Sequence, residues 1–475
     1  MDRKNALAKN ILIFGLGTSL SKLMSVLLIG LYTAYITADD LGYYDILITV
    51  ILMATPMVTL QITDALYRHL LELRDGNDET DATRVLSGAF AVVAGGLFLA
   101  VVVLCILNML AEIRLGWILP GYFVTSVMLV FSQQAARGLR RNTVYALSGV
   151  TYTGVMLAAN LIFIITLGVG VEALLYSVII ADVFAILLIE CTVGVYRRVR
   201  FSLISFKQVR EMCHYSVPLL PHAVIWPVMM VVNRYAILHF EGLEANGLFA
   251  AASKFPALLM TVYNIFGLAW QENAILEYGS HDRNEYYTKT FRMYVRLLSG
   301  TILLLLPATR HIVSLLLHES YYDAWQLIPL LYMGSMFQAF SNFYATVYMG
   351  AKRTMGLFVT TMLGVGGGIT VCLLTIPYIG AQAASLAHMT AFLLAWLLRV
   401  VHTRRYAKIE LNPPILLLMA VLSTAYIYSF FRAVPMADLL LFLAAIPIFI
   451  WLNRDLIRII IGMAKGALRK KEETV

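Results

Sequence analysis

From Asn10 to Leu452 the chain alternates long apolar stretches with short polar connections. Few folds tolerate that pattern. Hydrocarbon offers no partner to a backbone N–H or C=O, so a crossing segment must satisfy its own hydrogen bonds, as a helix or within a closed barrel. A barrel strand needs only about 10 residues of alternating polarity. These stretches reach the roughly 18 residues of a helical crossing and do not alternate. The sequence therefore predicts an all-α polytopic membrane protein. Its charged fraction of 13% agrees, since soluble domains carry about 25%. Arg3, Lys4 and Lys9 precede the first apolar run as in a signal peptide. No small-residue cleavage site follows and the run is too long, so it is read as the first span.

Hydropathy gives about fourteen spans. Their expected limits are 10–34, 43–66, 85–108, 117–136, 143–167, 172–195, 213–239, 247–270, 291–317, 325–349, 354–377, 380–398, 413–431 and 436–452. Basic residues fall on alternate connections, with Arg114 and Arg432 as the exceptions. One side carries Arg68, Arg74 and Arg84; Arg137, Arg140 and Arg141; Arg197 to Arg210; Arg283, Lys289 and Arg292; Lys352 and Arg353; and Arg399, Arg404, Arg405 and Lys408. The other side reads "ITADDLG", "LGVG", "FEGLEANG", "HESYYD" and "PYIG". The positive-inside bias then places both termini in the cytoplasm. The net charge of +8 is thus topology, not a nucleic-acid footprint. Two basic, apolar-rich stretches, 197–210 and 453–471, suit amphipathic helices on an anionic leaflet. Cys105, Cys191, Cys213 and Cys372 lack metal-ligand spacing and read as reduced core thiols.

The chain reads as doubled. "YITADDLGYYDILI" follows span one and "HFEGLEANGLFAAA" follows span seven, aligning Gly42 with Gly247. "ARGLRRNTVYALSG" follows span four and "YMGAKRTMGLFVTT" follows span ten, aligning Gly138 with Gly350. Six spans per repeat is even, so the halves share an orientation and an axis along the membrane normal. The expected domains are an N-lobe at 1–200 (spans one to six) and a C-lobe at 201–408 (spans seven to twelve) behind an amphipathic linker. An accessory pair follows at 409–452 (spans thirteen and fourteen), then a basic tail at 453–475.

No phosphate loop, H-E-x-x-H, G-x-S-x-G or C-x-x-C motif occurs, and the outer loops are too short to hold a catalytic site. Transport would be secondary or facilitated. The informative residues are charges inside the spans, which cost roughly 2.5–3.5 kcal/mol each at mid-bilayer. Lys22 lies about 18 Å along span one, too deep to snorkel comfortably. Arg234 in span seven and Lys254 in span eight could still reach outward. Spans one and seven are repeat equivalents, so Lys22 and Arg234 are expected to face each other in a cationic cavity that binds an anionic group. Asp64 and Asp182 are candidates for ion coupling or for pairing with these cations. Gln61, Gln133, Gln134, Asn160, Asn233 and Asn342 either line the cavity or bridge helices. Pro218, Pro221 and Pro227 in span seven, and Gly15, Gly17 and Gly30 in span one, mark the helices expected to bend.

The opening "NILIFGLGTSLSKLMSVLLIGLYTAYITADDLGYYDILIT", the segment "RGLRRNTVYA" and the doubled six-span plan resemble bacterial polysaccharide transporters of the Wzx type. These belong to the multidrug/oligosaccharidyl-lipid/polysaccharide (MOP) exporter superfamily, with the lipid II flippase and the MATE exporters. The resemblance implies two six-helix lobes in a V plus an extra C-terminal helix pair. It implies a flippase that moves an undecaprenyl-diphosphate-linked oligosaccharide between leaflets of the bacterial inner membrane. Lys22, Arg234 and Lys254 would hold the diphosphate. Membrane lipids, a polysaccharide polymerase and glycosyltransferases would be partners, with no cofactor and no nucleic acid, and coupling to Na⁺ or H⁺ is left open. The other readings are a cation-coupled, MATE-like small-molecule exporter and a non-transporting scaffold. Mid-span charges that are mainly basic speak against an exporter of cations.

Overall fold

The computed structural model describes residues 28–73, 79–257, 277–351, 353–411, 413–431 and 435–454, with scattered helical positions from 259 to 274. Among these residues every regular element is helical. Lys22, the glycines of span one before Gly30, and the tail beyond Arg454 lie outside the described residues. The chain divides into two compact units, 1–247 and 248–475. The boundary falls beyond most of predicted span seven, which thus packs with the first unit.

The first unit contains α1 (Ala38–Thr59), α2 (Ile62–Glu72), α3 (Glu79–Ala111), α4 (Leu119–Gly138), α5 (Asn142–Asn160), α6 (Glu172–Val193), α7 (Phe206–Ser216) and most of α8 (Leu220–Ala252). Thr37 caps α1, its hydroxyl accepting from the Asp40 N–H. Asp39 and Asp40 in the first turn complement the helix dipole. In lipid, spare hydroxyls turn inward, so Thr49, Thr55 and Thr59 each donate to the carbonyl one turn back. Predicted span two is broken. The Leu60 N–H donates to Met57 O and the Gln61 N–H to Pro56 O, a Schellman closure with Leu60 and Gln61 both left-handed at φ 50° and 52°. Leucine and glutamine are costly there. Pro56 is the sequence signal, because its ring disturbs the preceding turn. The connection "FEGLEANG" is short: helical residues flank it on both sides, and α8 kinks within it at Gly242 (φ 89°, ψ −170°), a non-helical conformation that suits glycine.

The second unit contains α9 (Arg283–Leu316), α10 (Ile328–Gly350), α11 (Thr354–Ile379), α12 (Gln382–Thr403), α13 (Pro413–Phe431) and α14 (Pro435–Leu452). Its core is aromatic. Trp270 stacks on Phe343 at 4.0 Å between centroids, and its indole N–H donates to Phe343 O. Phe291, Phe340 and Tyr344 close the cluster.

Eight described helices are long and apolar enough to cross a bilayer: Ala38–Thr59, Glu79–Ala111, Asn142–Thr166, Glu172–Val193, Ala223–Ala252, Arg283–Leu316, Met355–Ile379 and Gln382–Thr403. The chain is a multi-pass membrane protein. α4 and α10 occupy predicted spans four and ten but are more polar. Most of α10 is buried within protein, so its Ser, Asn and Gln need not meet lipid.

The repeat has a physical basis in both units. A Cβ on Gly138 would lie 2.7 Å from Leu70, and a Cβ on Gly350 would lie 2.7 Å from Tyr278. Each aligned glycine therefore makes room for a side chain that follows the second span of its own repeat.

Candidate functional site

α1 meets α8 along one helical face. Ala38, Gly42 and Asp45 recur at i, i+4 and i+7, so they project from the same side. A Cβ on Gly42 would fall 2.1 Å from the Leu243 carbonyl oxygen, and one on Gly247 would fall 1.9 Å from the Ala38 carbonyl oxygen. Ala38 and Leu243 are themselves repeat equivalents, one turn before the two glycines. The contact is therefore self-complementary about a local two-fold axis. Side chains then break the symmetry. Asn246 donates its amide to Gly42 O at 2.7 Å, fully buried. Deeper along α1, Arg234 Nε donates to Asp45 Oδ2 at 2.8 Å. Both side chains of this ion pair are largely shielded, at 7% and 16% exposure. Beside it Asn233 is buried, and its side-chain oxygen has no partner among the described residues.

The opposite edge of α1 is tied to the 112–118 connection. Tyr43 donates to Arg114 O at 3.0 Å, and Arg114 donates to Asp40 Oδ1 at 2.5 Å. That hydrogen bond, with the carboxylate charge beside it, holds the Arg114 guanidinium above its ordinary pKa.

A second polar group lies where α2, α4 and α7 approach. Gln61 donates to Asp64 Oδ2 at 3.1 Å, Gln134 reaches Asp64 Oδ1 at 3.5 Å, and Arg137 donates to Gln134 at 3.1 Å. Arg137 also lies over the rings of Tyr67 and Tyr145, and Arg68 over Tyr215. Asp64, Tyr67, Arg68, Leu71, Tyr215 and Leu219 line a cavity of about 470 Å³. α7 thus contributes Tyr215 to a pocket wall.

Asp182 stands apart in mid-α6. It is 2% exposed, and accepts from Thr125 at 3.0 Å and Ser126 at 2.8 Å. Tyr122 and Tyr152 lie within electrostatic reach. It has no ion-pair partner among the described residues. A buried carboxylate satisfied only by hydroxyls lacks compensation for its charge.

The structure thus brings Gln61, Asp64 and Gln134 together and couples Arg234 to Asp45. Gln133 bridges helices instead, donating to Ser148 at 3.2 Å. Asn160 donates to Met156 O within its own helix. Lys254 is exposed in the turn that follows α8, in the second unit, rather than inside a continuous span.

Two groups were not visible to charge counting. Arg399 had been assigned to a cytoplasmic connection. It is instead inside α12, 3% exposed, donating to Ser341 O, Thr361 Oγ1 and Thr360 Oγ1 at 2.7, 2.8 and 3.2 Å. Arg310 falls within predicted span nine. It is buried, pairs with Asp438 of α14 at 3.2 Å, and lies over Trp325 at 4.2 Å. The sequence signal for this pair was Asp438 itself, the only acid in predicted span fourteen.

The comparisons define the class by its fold, which is similar to that of solved transporters of the MOP superfamily. An inward-facing multidrug resistance MATE family transporter superposes with a TM-score of 0.70 at 12% identity, over 81% of this chain and 94% of that one. The lipid II flippase MurJ, in an inward closed conformation, gives 0.69 at 13% identity, over 95% and 100%. An outward-facing MATE transporter gives 0.60 at 13% identity, over 84% and 95%. No curated protein matches. The model of the family described as "Polysaccharide biosynthesis protein" matches residues 7–270, and the chain belongs to that family.

Proposed function

We propose that this protein is a flippase for an undecaprenyl-diphosphate-linked oligosaccharide, the repeat unit of a cell-surface polysaccharide. The supporting observation is the conjunction of a polysaccharide-biosynthesis sequence family with a fold shared by the lipid II flippase. The physics agrees. Sugars and diphosphate cannot cross hydrocarbon unaided, while a polyprenyl tail stays in lipid. In this reading Lys22, Arg234 and Lys254 hold the diphosphate, with Asn233 beside Arg234 offering a further polar contact. The protein resides in the bacterial inner membrane with both termini cytoplasmic. It works between glycosyltransferases that build the substrate inside and a polymerase that consumes it outside.

The test is reconstitution into liposomes with a fluorescent lipid-linked oligosaccharide, scored by its accessibility to a membrane-impermeant quencher. Wild type should equilibrate the leaflets, and Lys22→Ala, Arg234→Ala and Lys254→Ala should each slow flipping at least tenfold. Full activity in all three would remove the assigned cations. Absent flipping, with efflux of organic cations instead, would establish the MATE-like exporter.

Asp182 is assigned to ion coupling. Asp182→Asn retains a side chain that can meet Thr125 and Ser126 while removing an uncompensated charge. It should be as stable as wild type in detergent denaturation, yet its flipping rate should no longer respond to pH or Na⁺ gradients. An unchanged gradient response would assign coupling elsewhere.

A further inference from the structure

Arg234 and Asp45 raise a question that substrate binding alone does not answer. A guanidinium assigned to a phosphate already has an anion at 2.8 Å. That anion sits on α1, on the face that closes against α8 through Gly42, Leu243, Gly247 and Ala38. The ion pair thus continues the same line of contact that the glycines begin.

We propose that Asp45 is a stand-in for the substrate's phosphate, holding Arg234 and keeping α1 closed on α8 until a phosphate displaces it. The inference rests on the flippase reading and adds the residue that ties binding to opening. Its logic is electrostatic. Separating the pair without replacement leaves two charges uncompensated in a low-dielectric site, which is strongly unfavourable. Exchanging one anion for another avoids that state. A phosphate competes well for Arg because it can accept from two nitrogens at once. Once Asp45 is released, the Asn246 hydrogen bond and the close glycine packing still join the two helices. Neither is an ion pair, and both are weaker ties than the one exchanged. α1 keeps its other edge on the 112–118 connection through Asp40 and Tyr43, which holds it in place while α8 moves. The break at Gly242 lies between Arg234 and Leu243, so the two halves of the contact need not separate together.

The experiment uses the full chain in phosphatidylcholine vesicles, with Cys105, Cys191, Cys213 and Cys372 replaced and a reporter Ala38→Cys introduced. Ala38 is 8% exposed beneath Gly247, so its labelling by a maleimide reads the α1–α8 contact. Undecaprenyl diphosphate is the probe. It should raise the labelling rate roughly tenfold, within the range typical of coupled sites. Asp45→Asn should label fast without the lipid. Arg234→Gln should label fast and ignore it. Asp45→Arg combined with Arg234→Asp should restore slow labelling and remain insensitive to lipid, which also shows that the single variants had folded. A lipid-independent rate in the reporter background, or slow labelling in Asp45→Asn, overturns the proposal. Intact flipping with a flat labelling response defeats the stand-in alone. A full labelling response without oligosaccharide flipping defeats the flippase reading alone.

Discussion

The Asp438→Ala variant is expected to lose about 3–5 kcal/mol of stability, because it strands Arg310 in a site where water cannot replace the carboxylate. Both partners are buried, at 9% and 2% side-chain exposure. The guanidinium would keep its contact with Trp325, worth about 2 kcal/mol when desolvated, and so would not be wholly abandoned. α13 and α14 both pack on α9, and the ion pair crosses from α9 to α14. Its loss should therefore loosen the C-terminal pair first. Denaturation in detergent should show a lowered midpoint, and limited proteolysis should cut the 404–411 connection earlier than in wild type. The Arg310→Met/Asp438→Leu double variant should recover most of the loss, because two apolar side chains carry no desolvation debt. A single variant as stable as wild type would show that the pair contributes nothing.

The Gly247→Val variant should fail for a steric reason. Its Cβ would sit 1.9 Å from the Ala38 carbonyl oxygen, and the obstacle is backbone, which cannot rotate away. α8 must retreat by about 1.5 Å to reach an ordinary contact distance. Overpacking of this kind costs typically 1–3 kcal/mol, and the displacement would also pull Asn246 from Gly42 and Arg234 from Asp45. Stability should fall by about 2 kcal/mol, and flipping should drop by an order of magnitude or more. Gly95 is the matched control. It lies in α3 with nothing within 4 Å of the added atom, so Gly95→Ala should leave both unchanged or gain up to about 1 kcal/mol from helix propensity. Equal behaviour of the two variants would show that the α1–α8 approach does not matter.

Much of the plan was legible because lipid constrains sequence tightly. Long apolar stretches must be helices, and the alternation of Arg and Lys between connections followed from the bilayer's asymmetry. The repeat was legible too, for a stricter reason. Gly42, Gly138, Gly247 and Gly350 occupy places where an added Cβ would strike a neighbour, so glycine recurs at each. What misled was local. Hydropathy joined α1 to α2 across Leu60 and Gln61, since neither residue advertises a left-handed backbone. It did separate two helices at "FEGLEANG", where the backbone leaves helical geometry at Gly242.

Charge was the least legible feature. Arg399, Arg310 and Arg234 differ little in sequence context from arginines that snorkel to the headgroups. Hydropathy reports that a cation lies in or near a span. It cannot report which way the side chain turns, because a rotation of 100° per residue converts a lipid-facing position into a protein-facing one. Asp45 went unremarked for the same reason, being a single acid near a helix start.

By itself the sequence determined the helical class, the doubled plan and the family, since these depend on composition and on glycines that nothing larger can replace. Only the tertiary structure decided which charges meet. It assigned Asp45 to Arg234, Asp438 to Arg310, and neutral oxygens to Arg399. Those choices arise from packing between segments 38 to 189 residues apart, where the cost of an unpaired ion selects partners that no local pattern encodes.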